Sequence, residues 1–448
     1  MTKQKEKKKA SIVKKMMIAV VAGFVVGFIC LLIKSAVMGT DGEGAWKVVE
    51  AILFQDITAT KDIEGLGLFY IVGQLFMKGL QMMIVPLVLC SLTLALCSLA
   101  NPKKLGRIAG KTFVSYLCFY IVAAALAGAA AYLAKNLPAQ QAQDIVTMEG
   151  YNPLVTIVNA VPSNMINAMS SNNTILCVVV IAIIFGLCMT KMGEKADPLK
   201  KVFENINDIV QILNFLINKI APIAIFCMIV RALAVYGIEY ISPTMMWIVV
   251  TIVVSLLLVC TIYPIGIFIT TGLNPFIFLK KAAKIGMFAA ATNSSAATLP
   301  LNKETCINEL GCSEEISSFV LPTGMTINMN GTTAMHMIAI TFIATAAGVN
   351  INPATLCLTA FLSICTAVGT PAIPVAGTTM VYVVMMGLGL NSDLCMIGYS
   401  LILAMNYLPG MAVITLNVIG DAATNVIVCA KEHCLNKEIY NSKTPKNN

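Results

Sequence analysis

Long apolar runs separated by short polar segments dominate the chain up to residue 272. Several of these runs, such as 16–33 and 245–269, come close to or exceed the ~20 residues that an α-helix needs to cross a bilayer. Strands of a membrane β-barrel would instead give short segments of alternating polarity. The pattern predicts membrane helices at the following positions: 12–34, 66–99, 109–134, 171–193, 203–236 and 244–272.

The pattern changes after residue 274, where apolar segments become shorter and polar runs interrupt them. The three interruptions are ATNSSAATLP at 291–300, TGMTINMNGTTAMH at 323–336 and TAVGTPAIPVAGTT at 366–379. Such breaks free backbone N–H and C=O groups, which are tolerated at membrane depth only where protein or a water-filled cavity covers them. A last helix is predicted over 396–428. Paired interrupted segments of this kind indicate the binding site of a transporter.

The interruptions also indicate an internal symmetry. One interrupted apolar hairpin precedes the motif NMNG at 328–331, and a second precedes NVIGD at 417–421. We interpret this arrangement as an inverted repeat with two re-entrant hairpins, one entering from each side of the membrane. The predicted fold is an all-α polytopic membrane protein with eight transmembrane helices plus two re-entrant hairpins.

The composition agrees with a membrane protein, because 58% of residues are hydrophobic and only 12% are charged, with a mean hydropathy of +0.83. A soluble domain carries about 25% charged residues. Seven lysines in the first fifteen residues, and basic loops at 101–111 and 192–201, mark the cytoplasmic side. We predict a multi-pass protein of the cell (plasma) membrane with both termini in the cytoplasm. Its predicted partners include membrane lipid but no nucleic acid, since the net charge of +8 is explained by orientation.

One acidic residue lies deep in the last predicted helix. Asp421 is surrounded by apolar residues, and Asn417 lies one turn earlier on the same helix face. A buried carboxylate costs several kcal/mol unless it meets a cation or takes up a proton. Carboxylate, amide and backbone carbonyl oxygens together are what a hard cation such as Na⁺ requires. We predict a cation site at Asp421; the alternative is a neutral carboxyl group in an interhelical hydrogen bond.

Motifs along nearly the whole chain, taken in order, resemble the dicarboxylate/amino acid:cation symporter family, the glutamate transporter family. They are QMMIVPLVLCSL (81–92) with NPKKLGRIAGK (101–111), NSSAATLP (293–300), INMNGTT (327–333), GTPAIPVAG (369–377) and NVIGDAATNVIVCAKE (417–432). The resemblance implies an elevator-type transporter in a homotrimer, with a fixed scaffold and a mobile transport domain. The implied division is scaffold helices 1–2 (1–100), transport-domain helix 3 (101–135), external loop and scaffold helices 4–5 (136–236), the rest of the transport domain (237–430) and a cytoplasmic tail (431–448).

The resemblance also implies Na⁺ as the coupling ion, bound at two sites or fewer. The first site would use side chains and one glycine carbonyl, and the second would use backbone carbonyls near the second hairpin. The residues implied at these sites are Gly324, Thr326, Asn328, Asn417 and Asp421. The third site of the family is predicted to be lost, because its acid falls on Asn330 and its Thr-Ser pair falls on Phe119 and Tyr120.

The substrate positions depart from the family pattern. The family arginine that meets a side-chain carboxylate falls on Val413, and the aspartate that meets an amino group falls on Gly410; Asn293 stands where some members hold an arginine. A dicarboxylate would therefore bury one charge without a counter-charge, at a cost of several kcal/mol. The predicted substrate-binding residues are Asn293, Ser294, Ser295, Thr332, Thr370, Ile373, Gly377, Gly410, Val413, Ile414 and Asn417.

These observations predict a secondary symporter, and no enzyme, that couples Na⁺ entry to uptake of a small carboxylate-bearing solute, with a neutral amino acid as the leading candidate. A proton-coupled or mixed cation-coupled carrier of organic (di)carboxylates stays open. His336 stands where relatives place Glu or Gln, so it is either a proton site or a neutral, hydrogen-bonded histidine. An ion channel is a further alternative.

Overall fold

The computed structural model describes residues 2–58, 65–99, 102–134, 158–370 and 376–442. These residues are almost entirely helical, as predicted. The helices are α1 (Thr2–Val37), α2 (Glu43–Leu53), α3 (Leu68–Met82), α4 (Ile84–Leu99), α5 (Pro102–Ala134), α6 (Met165–Met169), α7 (Ile175–Met192), α8 (Asp197–Thr271), α9 (Pro275–Thr292), α10 (Ser295–Asn308), α11 (Glu314–Ile327), α12 (Asn330–Ala346), α13 (Pro353–Val368), α14 (Ala376–Gly387), α15 (Asp393–Met405), α16 (Tyr407–Lys431) and α17 (Lys437–Asn441).

Six stretches of the described residues are long and apolar enough to cross a membrane. They are Lys15–Val37, Leu68–Cys97, Gly106–Ala134, Ile175–Ile238, Thr244–Thr271 and Tyr407–Lys431. The fourth stretch has 64 residues, which is enough for two crossings, because one crossing needs only ~20. By length and composition the chain is therefore a multi-pass helical membrane protein.

Two predicted helices are divided in the structure, and a local proline explains each division. The predicted helix 66–99 is divided into α3 and α4, and the predicted helix 396–428 is divided into α15 and α16. In both cases a proline, Pro86 or Pro409, lies four residues after the end of the first helix. Proline lacks an N–H, and its ring clashes with the backbone carbonyl of the residue four positions earlier, which here is the last residue of the first helix. The first helix therefore ends there. By contrast, α8 consists of two helices that meet at a kink at Gly237, whose φ is 77°, in agreement with the separate helices predicted over 203–236 and 244–272.

Helix α16 forms the centre of the bundle. In its most apolar stretch 89% of the residues are buried, whereas the share is 22% in the N-terminal span Lys15–Val37. It packs against α8, α9, α11 and α12. Because protein surrounds it, its polar side chains must find their partners within the protein or bind a ligand.

Two pairs of helices lie where the sequence predicts the hairpins. In the first pair, α9 and α10 pack together and are joined only by Asn293 and Ser294. Asn293 adopts the left-handed conformation with φ 45°, and the Ser294 hydroxyl accepts the N–H of Ala297 at 3.3 Å, which caps α10. In the second pair, α13 and α14 pack together. Their connection includes the predicted tip residue Ile373, which lies outside the described residues.

Ion pairs join the end of α16 to α5. Glu432, which follows α16, pairs with Lys111 at 2.7 Å and with Arg107. Hydrogen bonds from Lys111 and then Arg107 hold the pKa of Glu432 below its usual value. The two helices are thereby connected at this end of the bundle.

Candidate functional site

Asn328 and Met329 separate α11 from α12 beside the buried centre of α16. The Asn328 Nδ2 donates to Oδ1 of Asp421 at 2.8 Å and lies 3.3 Å from the carbonyl oxygen of Asn417. The Oδ1 of Asn328 is buried and has no hydrogen-bond partner among the described residues. The break therefore places a free amide oxygen close to a buried carboxylate, in the position that the family resemblance implies.

Gly324 brings the backbone of α11 against the same carboxylate. A Cβ at this position would lie 2.5 Å from the Tyr116 hydroxyl and 2.8 Å from Cγ of Asp421, both closer than real Cβ contacts. The carbonyl of Gly324 accepts the N–H of Asn328 at 2.7 Å, so it also belongs to the break. Only glycine fits this approach without a shift of the carboxylate or the helix.

Gly324→Ala is expected to weaken cation binding at least about tenfold, because overpacking of a tight site costs about 1–3 kcal/mol and 1.4 kcal/mol is a factor of ten. The measurement is the Na⁺ dependence of the melting temperature of the purified protein. Gly110→Ala is the matched control, since a Cβ there meets nothing within 4 Å. An unchanged Na⁺ dependence in Gly324→Ala would contradict the expectation.

Asn417 lies between the carboxylate and the start of α12. Its Oδ1 accepts the N–H of Gly331 at 2.7 Å. Its Nδ2 lies 3.3 Å from the sulfur of Met329, which is a weak acceptor, and 3.4 Å from Oγ1 of Thr332, which is a long contact. The Nδ2 hydrogens are therefore available to a stronger acceptor, such as the carboxylate of a solute.

Two tyrosines fill the region that the resemblance assigns to a third cation. The Tyr120 hydroxyl donates to the last carbonyl of α11 and accepts the N–H of Met329 at 2.7 Å. The Asn330 Nδ2 donates to the Tyr263 hydroxyl at 3.2 Å, and the Phe119 ring packs edge-on to Tyr263. These hydroxyl groups form hydrogen bonds with polar groups at the helix break, which would otherwise be unpaired. Loss of the third site stays a prediction that this arrangement favours.

The predicted substrate positions fall around the same centre. Thr332 is in the first turn of α12 and contacts Gly377 of the second helix pair, where an added Cβ would lie 3.1 Å from Cγ2 of Thr332. Val413 is buried on α16, and its carbonyl lies so close to Gly331 that a side chain at position 331 would overlap it. Ile414, beside it, is half-buried against the core.

Other predicted residues lie elsewhere or are already bonded within their own helix. Ser295 is buried at the start of α10. The Thr370 hydroxyl donates to the carbonyl of Thr366 at 2.8 Å. Thr326 is exposed, and its hydroxyl donates to the carbonyl of Thr323 at 2.9 Å. The side chain of Thr326 therefore does not point into the cluster around Asp421, although its backbone belongs to the last turn of α11.

His336 joins α12 to both helices of the second pair. It is fully buried, with Nε2 2.8 Å from the carbonyl oxygen of Gly377 and Nδ1 3.4 Å from Oγ1 of Thr366. Because a carbonyl only accepts, Nε2 carries the hydrogen. The Thr366 hydroxyl donates its one hydrogen to the carbonyl of Leu362 at 2.8 Å, so its contact with Nδ1 is weak. A neutral histidine thus satisfies the contact with Gly377.

Sequence reasoning missed Asn406, which lies at the break between α15 and α16. It is only 9% exposed, and its Oδ1 has no hydrogen-bond partner in the described parts of the chain. The available signal was its spacing, since a residue four positions before Gly410 lies on the same face of a helix.

The donors around Asp421 suit a hard cation. Among the described residues no three or more His, Cys, Asp or Glu side chains come together in a way that could hold a metal ion. The site instead offers one carboxylate, a free amide oxygen and backbone carbonyls, which are the oxygen ligands that hard cations prefer.

A bundle of membrane-spanning helices whose interrupted segments meet at a buried carboxylate defines a secondary transporter. Residues 12–431 match the model of the Sodium:dicarboxylate symporter family. The chain belongs to this family and is therefore a cation-coupled membrane symporter and not an enzyme.

Several curated relatives are similar over most of their length. The proton/sodium-glutamate symport protein of Bacillus caldotenax is 24% identical over 379 residues, covering 82% of this chain and 88% of that protein. Excitatory amino acid transporter 2 of Homo sapiens is 27% identical over 414 residues, covering 78% of this chain and 71% of that protein. The C4-dicarboxylate transport protein of Cupriavidus pinatubonensis is 24% identical over 377 residues, covering 82% of this chain and 86% of that protein.

Family membership and the helical fold confirm the predicted all-α membrane symporter of the glutamate transporter family. The names of the relatives specify glutamate, excitatory amino acids or C4-dicarboxylates, so they do not support the predicted neutral solute. Some of them also name protons beside sodium. The roles of individual site residues stay predictions.

Proposed function

We propose that this protein couples the entry of Na⁺ to the uptake of a small solute that carries a single carboxylate, with a neutral amino acid as the leading candidate. One observation carries the proposal: Asp421 is the only charged side chain among the buried residues of the described chain. That single negative charge suits a cation, and the same region offers no positive charge for a second carboxylate of the solute.

The cation part of the proposal rests on the oxygen atoms around Asp421. An ionised carboxylate at this depth needs a counter-charge, and the one hydrogen bond from Asn328 does not supply it. The free Oδ1 of Asn328 and the carbonyl of Asn417 complete a set of oxygen ligands. We infer that Na⁺ binds there and orders the break between α11 and α12, which prepares the neighbouring solute site.

The solute part rests on Asn417 and on two helix N-termini. The available Nδ2 of Asn417 and the hydroxyl of Thr332 are 3.4 Å apart and face the start of α12. The capped N-terminus of α10 at Ser295 offers free backbone N–H groups, which favour an anionic group. These donors suit one carboxylate. Val413 presents no charge to a second one, in contrast to the arginine that the family resemblance expects there.

Proton coupling is the second candidate, and the buried imidazole of His336 is the observation that favours it. Because the neutral ring already donates to the carbonyl of Gly377, we expect His336→Gln to keep the pH dependence of uptake. A glutamine amide can still donate to the carbonyl of Gly377. The measurement is solute uptake into proteoliposomes between pH 5.5 and 8, and a pH dependence that disappears in the variant would establish His336 as the proton site.

The wider mechanism follows from the packing of α16. We infer that α5, the part of α8 after Gly237 and α9–α16 form the mobile transport domain, because α16 contacts α8, α9, α11 and α12 and is tied to α5 through Glu432. The helices α1, α3, α4, α7 and the first part of α8 would form the scaffold of a homotrimer. The second helix pair, held by His336 and Thr332, would close over the solute from the outside.

A thermal-shift screen tests this function directly, since a ligand that binds the folded state raises its apparent stability. Purified protein would be melted with neutral amino acids, acidic amino acids and C4-dicarboxylates, each with Na⁺ or with K⁺. Neutral amino acids are expected to raise the melting temperature only in Na⁺. Preferential stabilisation by aspartate, glutamate or succinate would overturn the proposed solute class, and equal effects in K⁺ would overturn the proposed ion.

A further inference from the structure

Two carboxamide side chains from different elements converge on Gly410. A Cβ at Gly410 would lie 3.4 Å from Nδ2 of Asn406, 3.5 Å from Nδ2 of Asn293 and 3.6 Å from Oδ1 of Asn293. These are ordinary van der Waals distances, so both amides border the space that the missing side chain leaves. Asn406 comes from the break before α16, and Asn293 comes from the turn between α9 and α10.

The Asn406 amide, whose Nδ2 borders this space, has an unused acceptor in its Oδ1. Its side chain is more than nine-tenths buried, yet its Oδ1 finds no hydrogen-bond partner within the described residues. An unsatisfied buried polar atom costs about 1–3 kcal/mol, so native proteins rarely keep one without a reason. A ligand that brings a hydrogen-bond donor would remove this cost.

The acceptor lies on the same helix face as the cation and carboxylate positions. Asn406, Gly410, Asn417 and Asp421 follow the spacing that keeps residues on one side of a helix. At a rise of about 1.5 Å per residue, the Cα atoms of Gly410 and Asn417 are separated by about 10 Å along the axis. A small solute that contacts both positions would span this distance.

We propose that Asn406 is a specificity-determining residue which, together with Asn293, accepts a hydrogen bond from a donor group next to the carboxylate of the solute. This inference rests on the proposed function, because it uses the same solute site. Both amides are neutral, so they select by hydrogen bonding and not by charge. The donor is the ammonium of a 2-amino acid or the hydroxyl of a 2-hydroxy acid, whereas an acid with neither group leaves Oδ1 of Asn406 unsatisfied.

The experiment compares three probes that differ only at the second carbon: L-alanine, L-lactate and propionate. Apparent affinities come from the melting temperature of purified full-length protein in Na⁺ over a concentration series of each probe. The wild type is expected to bind alanine or lactate about tenfold more tightly than propionate, because a buried acceptor left unpaired costs about 1–3 kcal/mol and 1.4 kcal/mol is a factor of ten. The tighter of the two identifies the donor group.

Two variants and one control test the role of Asn406. In Asn406→Ala the preference for alanine or lactate over propionate is expected to fall about tenfold, while the affinity for propionate stays unchanged. In Asn406→Asp, which keeps the shape, alanine affinity is expected to rise about tenfold while lactate gains nothing, because only the ammonium is attracted by the new charge. Asn218→Ala, on α8 where Asn218 bonds Asn214, is the matched control and should behave as the wild type.

The outcomes separate this inference from the function on which it rests. If the wild type binds none of the three probes in Na⁺, the proposed function fails and this inference fails with it. If the wild type prefers alanine or lactate over propionate and both variants keep that preference, the role of Asn406 is overturned and the proposed function stands. If Asn406→Ala does not fold, the Asn406→Asp variant still tests the role of Asn406.

Discussion

Replacing Asp421 with asparagine is expected to weaken Na⁺ binding at least about a hundredfold and to remove the Na⁺ dependence of solute binding. The variant keeps the shape of the side chain and its contact with Asn328 but removes the only charge among the buried residues of the described chain. A buried ion that loses its partner is destabilised by about 3–5 kcal/mol, and each 1.4 kcal/mol is a factor of ten. The measurement is the melting temperature across a Na⁺ series, with and without solute.

The stability of the ion-free protein distinguishes a binding defect from a folding defect. Asp421→Asn buries no charge, so without Na⁺ the variant should melt at or above the wild-type temperature. Glu432→Gln is the matched control, because it removes a carboxylate just beyond the end of the same helix. If Asp421→Asn responds to Na⁺ as the wild type does, the carboxyl group is a neutral interhelical contact and the ion lies elsewhere.

The second large effect is expected from Val413→Arg. Val413 is buried on α16 between Gly410 and Asn417, where a guanidinium group would supply the missing partner for a second carboxylate. We expect affinity for aspartate or succinate to rise about a hundredfold relative to a neutral amino acid, since an unpaired buried carboxylate costs several kcal/mol. Competition by each solute against uptake of radiolabelled L-alanine measures this ratio.

A size control is needed, because arginine also adds volume next to a tight helix contact. Val413→Met adds length without charge and should lower the affinity for all solutes without changing their order. An arginine variant that folds and still prefers neutral solutes would show that position 413 does not face the solute.

The helical membrane fold and the candidate pair Asn417 and Asp421 were predictable from local sequence. Asn417 and Asp421 are one turn apart on one helix, so their common face follows from helix geometry. The polar run around Asn328 could be recognised as a break because lipid does not satisfy free backbone groups. Pairing Asn328 with Asp421 required the family resemblance, since the two residues are 93 positions apart.

Other features depended on contacts between distant segments. The sequence shows that Pro409 favours the start of a helix. It does not show that Asn406, at the resulting break, and Asn293, in the turn between α9 and α10, lie beside the same residue, Gly410. The hydroxyl of Tyr120 reaches the α11–α12 break across 209 positions, and hydropathy contains no signal for such a contact.

The most direct test of the central claim is the flux of radiolabelled Na⁺ into proteoliposomes that contain the wild-type protein. Addition of external L-alanine is expected to stimulate Na⁺ entry, and an inward Na⁺ gradient is expected to accumulate L-alanine above its external concentration, with neither effect in Asp421→Asn. Alanine accumulation without accompanying Na⁺ entry, or Na⁺ entry that the Asp421→Asn variant retains, would contradict the claim that the buried carboxylate binds the coupling ion.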